Sequence, residues 1–234
     1  MEASSRAVMG HYQINDNDIN VSNGDGIYFD KWYKVGYKML EDAYAQMGNL
    51  EVCRNDIYAP AGYGIYENYF EDVAYYMGYD GSTEYPGNTT FIMGDIMFND
   101  NNITSLYSGI YVDDWEYWGY KMYGDSQAHF GHIQFNDNNI TAGNDTVDSD
   151  GIYHYDGLAY EFGAYLYNNT NATFGNFEVC RNTINATEDG IDSDAIYQLG
   201  YELNDNAHVV AGDVLFNNNT IIAGDDGIYF EYFY

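Results

Sequence analysis

Basic residues are scarce in this chain, and their scarcity excludes several kinds of partner. Seven Lys and Arg residues stand against 37 Asp and Glu residues, which gives a formal net charge of −30 at pH 7. Such a chain repels phosphate groups and anionic lipids, and it offers no basic stripe to nucleic acid. We therefore expect no nucleic-acid binding, and we expect cations to be its natural small partners.

Long apolar runs are also missing. No stretch of about 20 apolar residues exists, so the sequence predicts no membrane insertion. The first ten residues hold no apolar segment of signal-peptide length, which predicts either an intracellular chain or a mature, trimmed form. The content of 46% hydrophobic and 18% aromatic residues nevertheless predicts a folded core rather than a disordered acidic tail.

The chain does contain a sixfold repeat. Each copy has an apolar residue, an Asn three positions later and an Ile two positions after that. The copies are Ile14–Ile19, Val52–Ile57, Phe98–Ile103, Phe135–Ile140, Val179–Ile184 and Phe216–Ile221. A Gly-Ile-Tyr or Ala-Ile-Tyr strand and a third, less regular strand follow. With only two prolines in the chain, this pattern predicts an all-β, single-domain parallel β-helix of about six turns over residues 1–234.

One segment admits a different secondary structure. Met39, Leu40, Tyr44 and Met47 have helical spacing, so a short helix over 37–47 is an alternative that the solenoid would tolerate.

Stacking of the copies predicts two ladders of identical side chains. Equivalent residues would lie about 4.8 Å apart, so each asparagine amide could donate to the next. The predicted asparagine ladder is Asn17, Asn55, Asn101, Asn138, Asn182 and Asn219. If Ile27 and its counterparts in the other copies point inward, the tyrosines that follow them form an outer ladder. Its members are Tyr28, Tyr66, Tyr111, Tyr153, Tyr197 and Tyr229. Exposed tyrosine columns suit a surface that meets protein or sugar.

A second level of repetition concerns the two ends. Copies one to three match copies four to six in detail, so we interpret 10–130 and 131–234 as a duplicated three-turn unit. Residues 5–10 resemble the strand that closes the other copies, whereas the sixth copy lacks that strand. Neither end carries the usual guards of open edges, which predicts pairing with copies of itself into a fibre or ring. Caps removed with flanking segments are the alternative.

The two cysteines occupy one column, three turns apart. At about 14 Å they are too far apart for a disulfide within the chain. Placement of Cys53 and Cys180 on the outside, beside Arg54 and Arg181, would allow disulfides between neighbouring solenoids. Two free thiols inherited from the duplication are the alternative.

Acidic turns suggest calcium, because several carboxylate oxygens are close in sequence. The candidates are Asp148, Asp150, Asp192 and Asp194, but none matches a known calcium-loop spacing, so solvated turns are the stronger interpretation and no cofactor is required. The five histidines show no paired metal spacing, which favours structural roles.

Nine Asn-X-Ser/Thr sequons occur, where random placement would give about two. They are Asn20, Asn88, Asn102, Asn139, Asn144, Asn168, Asn171, Asn185 and Asn218. The sequence therefore predicts N-linked glycans and an extracellular location, although Asn and Thr also co-occur in strand-edge repeats for purely architectural reasons.

Catalysis is not expected. A lyase acting on uronates needs clustered Lys or Arg, and the few basic residues of this chain are not grouped on one face in the sequence pattern. Acids are so abundant that no pair stands out as the two carboxylates of a glycosidase, and they follow the repeat rather than interrupt it.

The Asn-X-Ile and Gly-Ile-Tyr columns resemble right-handed parallel β-helix repeats of carbohydrate-active and archaeal surface proteins. The acidic, Asn- and Tyr-rich, sequon-bearing composition is similar to that of archaeal cell-surface and tubular sheath proteins, some of which are amyloid-like. The resemblance implies a structural protein that assembles head to tail into an extracellular filament, sheath or surface layer. A glycan-binding adhesin is the second hypothesis, and a polysaccharide-degrading glycosidase the third.

Overall fold

The computed structural model shows an all-β chain wound into a parallel β-helix of six turns. It describes residues 5–79, 82–84, 87–144, 146–147, 149–154, 161–193 and 199–230. Every pairing between the strands named below is parallel, and each interior strand pairs with its equivalents in the turns before and after it. The backbone hydrogen bonds therefore run along the long axis of the solenoid.

Five sheets, which we call A to E, run along the solenoid. Sheet A contains β1 (Arg6–Met9), β6 (Tyr44–Met47), β11 (Thr90–Met93), β16 (Gln127–Phe130), β21 (Asn171–Phe174) and β26 (His208–Ala211). Sheet B contains β2 (Tyr12–Asn15), β7 (Leu50–Cys53), β12 (Ile96–Met97), β17 (Ile133–Gln134), β22 (Phe177–Cys180) and β27 (Val214–Asn217). Sheet C contains β3 (Asp18–Asn20), β8 (Asp56–Ala59), β13 (Asn102–Ser105), β18 (Asn139–Ala142), β23 (Thr183–Ala186) and β28 (Thr220–Ile222).

Of the remaining two sheets, sheet D has a strand in all six turns and sheet E in four of them. Sheet D contains β4 (Ile27–Phe29), β9 (Ile65–Glu71), β14 (Ile110–Asp114), β19 (Ile152–His154), β24 (Ile191–Ser193) and β29 (Ile228–Phe230), and β5 (Trp32–Tyr33) also pairs with β9. Sheet E contains β10 (Tyr76–Met77), β15 (Lys121–Met122), β20 (Tyr165–Leu166) and β25 (Glu202–Leu203).

The expectation of three strands per turn was too low. The repeat segment splits into a sheet B strand and a sheet C strand because the residue between them has a left-handed backbone. This bend residue is Asp16, Arg54, Asp100, Asp137, Arg181 or Asn218, with φ between 57° and 61°. Asp and Asn adopt this conformation more readily than Arg does.

The core is built from columns of identical apolar side chains. One column is Ile19, Ile57, Ile103, Ile140, Ile184 and Ile221 in sheet C. A second is Ile27, Ile65, Ile110, Ile152, Ile191 and Ile228 in sheet D. In the middle turns these side chains are at most 2% exposed. The expected inward orientation of the Gly-Ile-Tyr isoleucines is confirmed.

The helical alternative for 37–47 is wrong. Met39 forms a parallel bridge to Met77, and Tyr44–Met47 is strand β6. The described residues form no helix, and so none that could cross a membrane.

Candidate functional site

The asparagine ladder is present, and its interior members are fully hydrogen-bonded. Asn55, Asn101, Asn138 and Asn182 are each 1% exposed. Asn101 is typical: its Oδ1 accepts from the backbone N–H of Asn55 at 3.0 Å and from Asn55 Nδ2 at 3.0 Å. Its Nδ2 donates to Asn138 Oδ1 at 3.1 Å and to Val52 O at 2.8 Å. Because every polar atom is satisfied, the buried amides do not carry the usual cost of burial.

The ladder has a direction, so its two ends differ chemically. Each amide donates toward the turn that follows, from Asn17 to Asn55 and finally from Asn182 to Asn219. At the first turn, no described residue donates to Asn17 Oδ1. At the last turn, Asn219 Nδ2 donates only to Val179 O among the described residues, and its backbone N–H has no described acceptor. One tip thus presents acceptors where the other presents donors.

A column of glycines allows successive turns to stack closely, and its last member has open space beside it. A Cβ added to Gly26, Gly64, Gly109, Gly151 or Gly190 would lie 2.2–2.3 Å from the Ile Cγ2 of the next turn. Gly227 is the sixth member of that column, and a Cβ there would meet nothing within 4 Å.

A second glycine column points the other way along the axis. A Cβ at Gly48, Gly94, Gly131, Gly175 or Gly212 would collide with the preceding turn, whereas Gly10 at the first turn has open space. Gly10 and Gly227 are therefore glycines, although no contact within the described chain requires a glycine at either position.

The strands of the two terminal turns are poorly covered. Strand β1 is exposed along its whole length, and β27 has two exposed and two partly buried residues, whereas interior β7 is mostly buried. Exposed apolar side chains at these turns include Val8, Met9, Tyr12, Val210, Val214, Ile222 and Ile228. These strands have a neighbour on one side only, so each tip is an unpaired sheet edge among the described residues.

Charge is distributed unevenly along the axis. Residues 1–41 hold four of the seven basic residues, Arg6, Lys31, Lys34 and Lys38. Residues 182–234 hold ten acidic residues and no basic one. Residues 1–41 also hold six acidic residues, so the first turn is slightly acidic overall and the last turn is strongly acidic.

The outer tyrosine ladder is present in its first four members. Ring centroids of Tyr28, Tyr66, Tyr111 and Tyr153 follow one another at 5.2, 5.0 and 5.0 Å. Burial raises the pKa of Tyr66 to about 12. The fifth member was assigned wrongly, because the register aligns Asp192, not Tyr197, with Tyr153 and Tyr229. Tyr197 itself lies outside the described residues.

A second aromatic surface, missed in the sequence, covers sheet E. We call it the tyrosine–lysine face; it comprises Tyr37, Tyr75, Tyr79, Tyr120, Tyr123, Tyr165, Tyr167, Lys34, Lys38 and Lys121. Tyr79, Tyr123 and Tyr167 stack at 4.7 Å between successive rings. The three lysines lie over tyrosine rings, so the expectation that lysines are not grouped was wrong.

The predicted outward placement of the cysteines is wrong. Cys53 and Cys180 are free thiols that are 5% and 4% exposed. The bend follows each cysteine at once, so the alternation breaks and Val52 and Cys53 are both buried. Burial raises the pKa of the Cys53 thiol. A disulfide between solenoids would require local opening, whereas Arg54 and Arg181 do face outward and pair with Asp16 and Asp137 of the preceding turn.

Among the described residues, one group of three acidic side chains lies close together in space. Carboxylate oxygens of Asp150, Asp189 and Asp192 lie within 4.8 Å of one another. Burial raises the pKa of Asp150 to about 6. Asp150 and Asp192 of the predicted calcium candidates are thus neighbours, while Asp148 and Asp194 lie outside the described residues. The cluster carries no further evidence of a bound cation.

The sequon asparagines lie at or near the surface. Seven are exposed and two, Asn168 and Asn171, are partly buried. Asn102 and Asn139 are stacked neighbours, and Asn139 Nδ2 donates to Asn102 Oδ1 at 2.8 Å. Two glycans on adjacent turns would crowd each other, so accessibility alone does not make every sequon usable.

Buried ionisable groups inside the solenoid were not expected from the sequence. Glu67 is fully buried, and Trp115 Nε1 donates to its Oε2 at 2.5 Å. Burial raises the pKa of Glu67 to about 8. Burial likewise lowers the pKa of His154, beside the same Trp115, to about 3. Both groups are therefore neutral at pH 7.

Comparison with protein-family models, curated proteins and solved structures found no match to this chain.

Proposed function

We propose that this protein is a structural subunit that assembles head to tail into an extracellular filament, sheath or surface layer. Its partners are copies of itself, it needs no cofactor, and its sequons carry N-linked glycans. No catalytic role is proposed.

The observation that carries the proposal is the direction of the asparagine ladder. The unused donors at Asn219 and the unused acceptor at Asn17 would pair if one solenoid continued another in register. β1 to β4 of the following molecule would then lie on β26 to β29. This contact is heterologous and does not close on itself without a rotation, so it produces a fibre.

The open glycines at both tips support the same stacking. Solenoids that stay monomeric normally carry polar caps. Here the described part of each tip instead exposes sheet edges and apolar side chains. A length of chain beyond the described residues that covers a tip would compete with assembly.

Assembly is tested by substitution at the ladder ends. Asn17→Leu or Asn219→Leu should remove the inter-subunit amide bonds and strongly reduce elongated assemblies in negative-stain micrographs and light scattering. Asn185→Leu makes the same change on the outer face of a middle turn and should leave assembly unaltered. Wild-type protein that remains a monodisperse monomer at high concentration would refute the proposal.

Glycan binding is a second candidate, favoured by the tyrosine–lysine face. Tyr79, Tyr123 and Tyr167 stack face to face at 4.7 Å, so this column offers a sugar its phenol hydroxyl groups as hydrogen-bond partners rather than its ring faces. Tyr123→Ala should then reduce binding on a glycan array, while Tyr28→Ala on the other tyrosine column should not. Wild-type protein that binds no glycan on the array would reject this candidate.

A further inference from the structure

An apolar cavity of about 60 Å³ lies where sheets A and B meet near the last turn. Its wall consists largely of aromatic side chains from the fourth and fifth turns, including Phe130, Phe162, Phe174 and Phe177. Its outer rim is formed by residues 211–214 of the last turn, which are exposed. The cavity therefore borders the tip at which the asparagine ladder presents its donors.

The cavity exists because two core columns change size at the last turn. The inward column of sheet A is Met9, Met47, Met93, Phe130, Phe174 and Ala211. The neighbouring column of sheet B is Tyr12, Leu50, Ile96, Ile133, Phe177 and Val214. In these columns Ala211 follows one phenylalanine and Val214 follows another. Because Ala and Val are smaller than Phe, the described chain leaves space beside the last two phenylalanine rings.

The same two columns begin with large side chains at the other tip. Met9 is 45% exposed and Tyr12 is 44% exposed. The ring of Tyr12 packs edge-on against Trp32 at 5.1 Å and against Phe29 at 6.1 Å, which holds it at the tip. One tip thus has a cavity, and the other tip has two large, partly exposed apolar side chains in the same columns of the repeat.

We propose that the ends of the Met9 and Tyr12 side chains of one molecule enter the aromatic cavity at the last turn of the preceding molecule. The occupant is a second copy of this chain, so the inference rests on the proposed head-to-tail function and specifies its contact. Continuation of the register places Met9 over Ala211 and Tyr12 over Val214. The ladder gives the same pairing of unlike tips, because Asn219 donors face the Asn17 acceptor.

Side-chain volume at both tips tests the contact. Met9→Ala combined with Tyr12→Ala removes the projecting groups, and Ala211→Phe fills the hollow with the side chain that the fourth and fifth turns carry. Each variant should raise the critical concentration for assembly, measured by sedimentation, by at least about tenfold, the equivalent of about 1.4 kcal/mol. Circular dichroism should show the wild-type fold for every variant. The Tyr12→Ala change should lower the thermal unfolding temperature modestly, because Tyr12 packs against Trp32 and Phe29 of its own chain.

Two controls make the test specific. Val8→Ala and Val210→Phe alter the outward neighbours of the same strands, at 58% and 57% exposure, and should change the critical concentration less than about threefold. Ala211→Phe combined with Met9→Ala should recover much of the lost assembly, because volume is moved from one tip to the other.

The outcomes separate this inference from the function on which it rests. If wild-type protein assembles and the tip variants assemble equally well, the cavity contact is wrong while head-to-tail assembly stands. That result would also follow if residues 231–234 of the same chain, or a small apolar molecule, occupied the cavity. If wild-type protein does not assemble, both proposals fall.

Discussion

Single buried polar residues in this solenoid are tolerated only because each has its partners along the axis. Interior ladder members use both amide hydrogens and accept two hydrogen bonds at Oδ1. The outward-facing residues of sheet C are exposed. Water can replace a hydrogen bond that they lose, so the loss costs little stability. A ladder asparagine and an asparagine at the next position in the chain are therefore expected to contribute very differently to stability.

Asn138→Leu should destabilise the fold strongly. The substitution leaves the buried N–H and one Nδ2–H of Asn101 without an acceptor, which costs about 3 kcal/mol or more. Asn139→Leu, one residue away and exposed, should change the free energy of unfolding by about 0.5 kcal/mol. Urea unfolding of the two variants measures the difference, and equal effects would contradict the ladder's role.

Glu67 predicts a particular dependence of stability on pH. Its pKa is raised to about 8, so the folded state holds the proton that the unfolded state releases. Its contribution to stability is complete below the unfolded pKa of about 4.5 and is lost as pH rises through about 8.

Glu67→Gln should therefore be more stable than wild type at neutral pH, by on the order of 3 kcal/mol at pH 7. The difference should shrink towards pH 4.5, as measured by thermal or urea unfolding across the range. Glu178→Gln, on the outer surface of sheet B, serves as the control. A difference between wild type and Glu67→Gln that does not vary with pH would show that Glu67 is not buried in its neutral form.

At the scale of strands, sequence reasoning succeeded where the period-two alternation is regular. The isoleucine and asparagine columns could be predicted because every copy keeps them. The burial of the cysteines could not be predicted from this alternation. The residue directly after Cys53 has a left-handed backbone, which turns the end of the strand so that Cys53 faces inward. The fifth tyrosine was misplaced because Gly190-Ile191-Asp192 continues the column without its tyrosine. Local similarity pointed instead to Ala195-Ile196-Tyr197.

The glycine column of sheet D gives a prediction at this scale. Gly109→Ala places a Cβ 2.2 Å from Ile140 Cγ2 and 2.7 Å from the carbonyl oxygen of Gly151, so it should destabilise the fold by about 3 kcal/mol. Gly227→Ala in the last turn has no such neighbour and should unfold at nearly the wild-type temperature. Similar losses of thermal stability in both variants would contradict the stacking geometry.

At the scale of the whole molecule, the parallel winding leaves two tips of opposite character. One is the less acidic, offers a hydrogen-bond acceptor and carries partly exposed large apolar side chains. The other is acidic, offers donors and has a hollow. The overall architecture could be predicted from the repeat, but the complementarity of the tips could not, because it depends on the register of five sheets and on side-chain volume at the last turn.

The most direct test of this account compares wild-type protein with Gly227→Ala by sedimentation velocity and negative-stain microscopy at matched concentration. Stacking of a second molecule would bring its Ile19 against the added methyl group, in the way Ile221 would meet a Cβ at Gly190. The account predicts long assemblies for wild type and folded monomers for Gly227→Ala. The variant should have the same thermal unfolding temperature as wild-type monomer measured below the critical concentration. Assemblies of equal length from both proteins would contradict it.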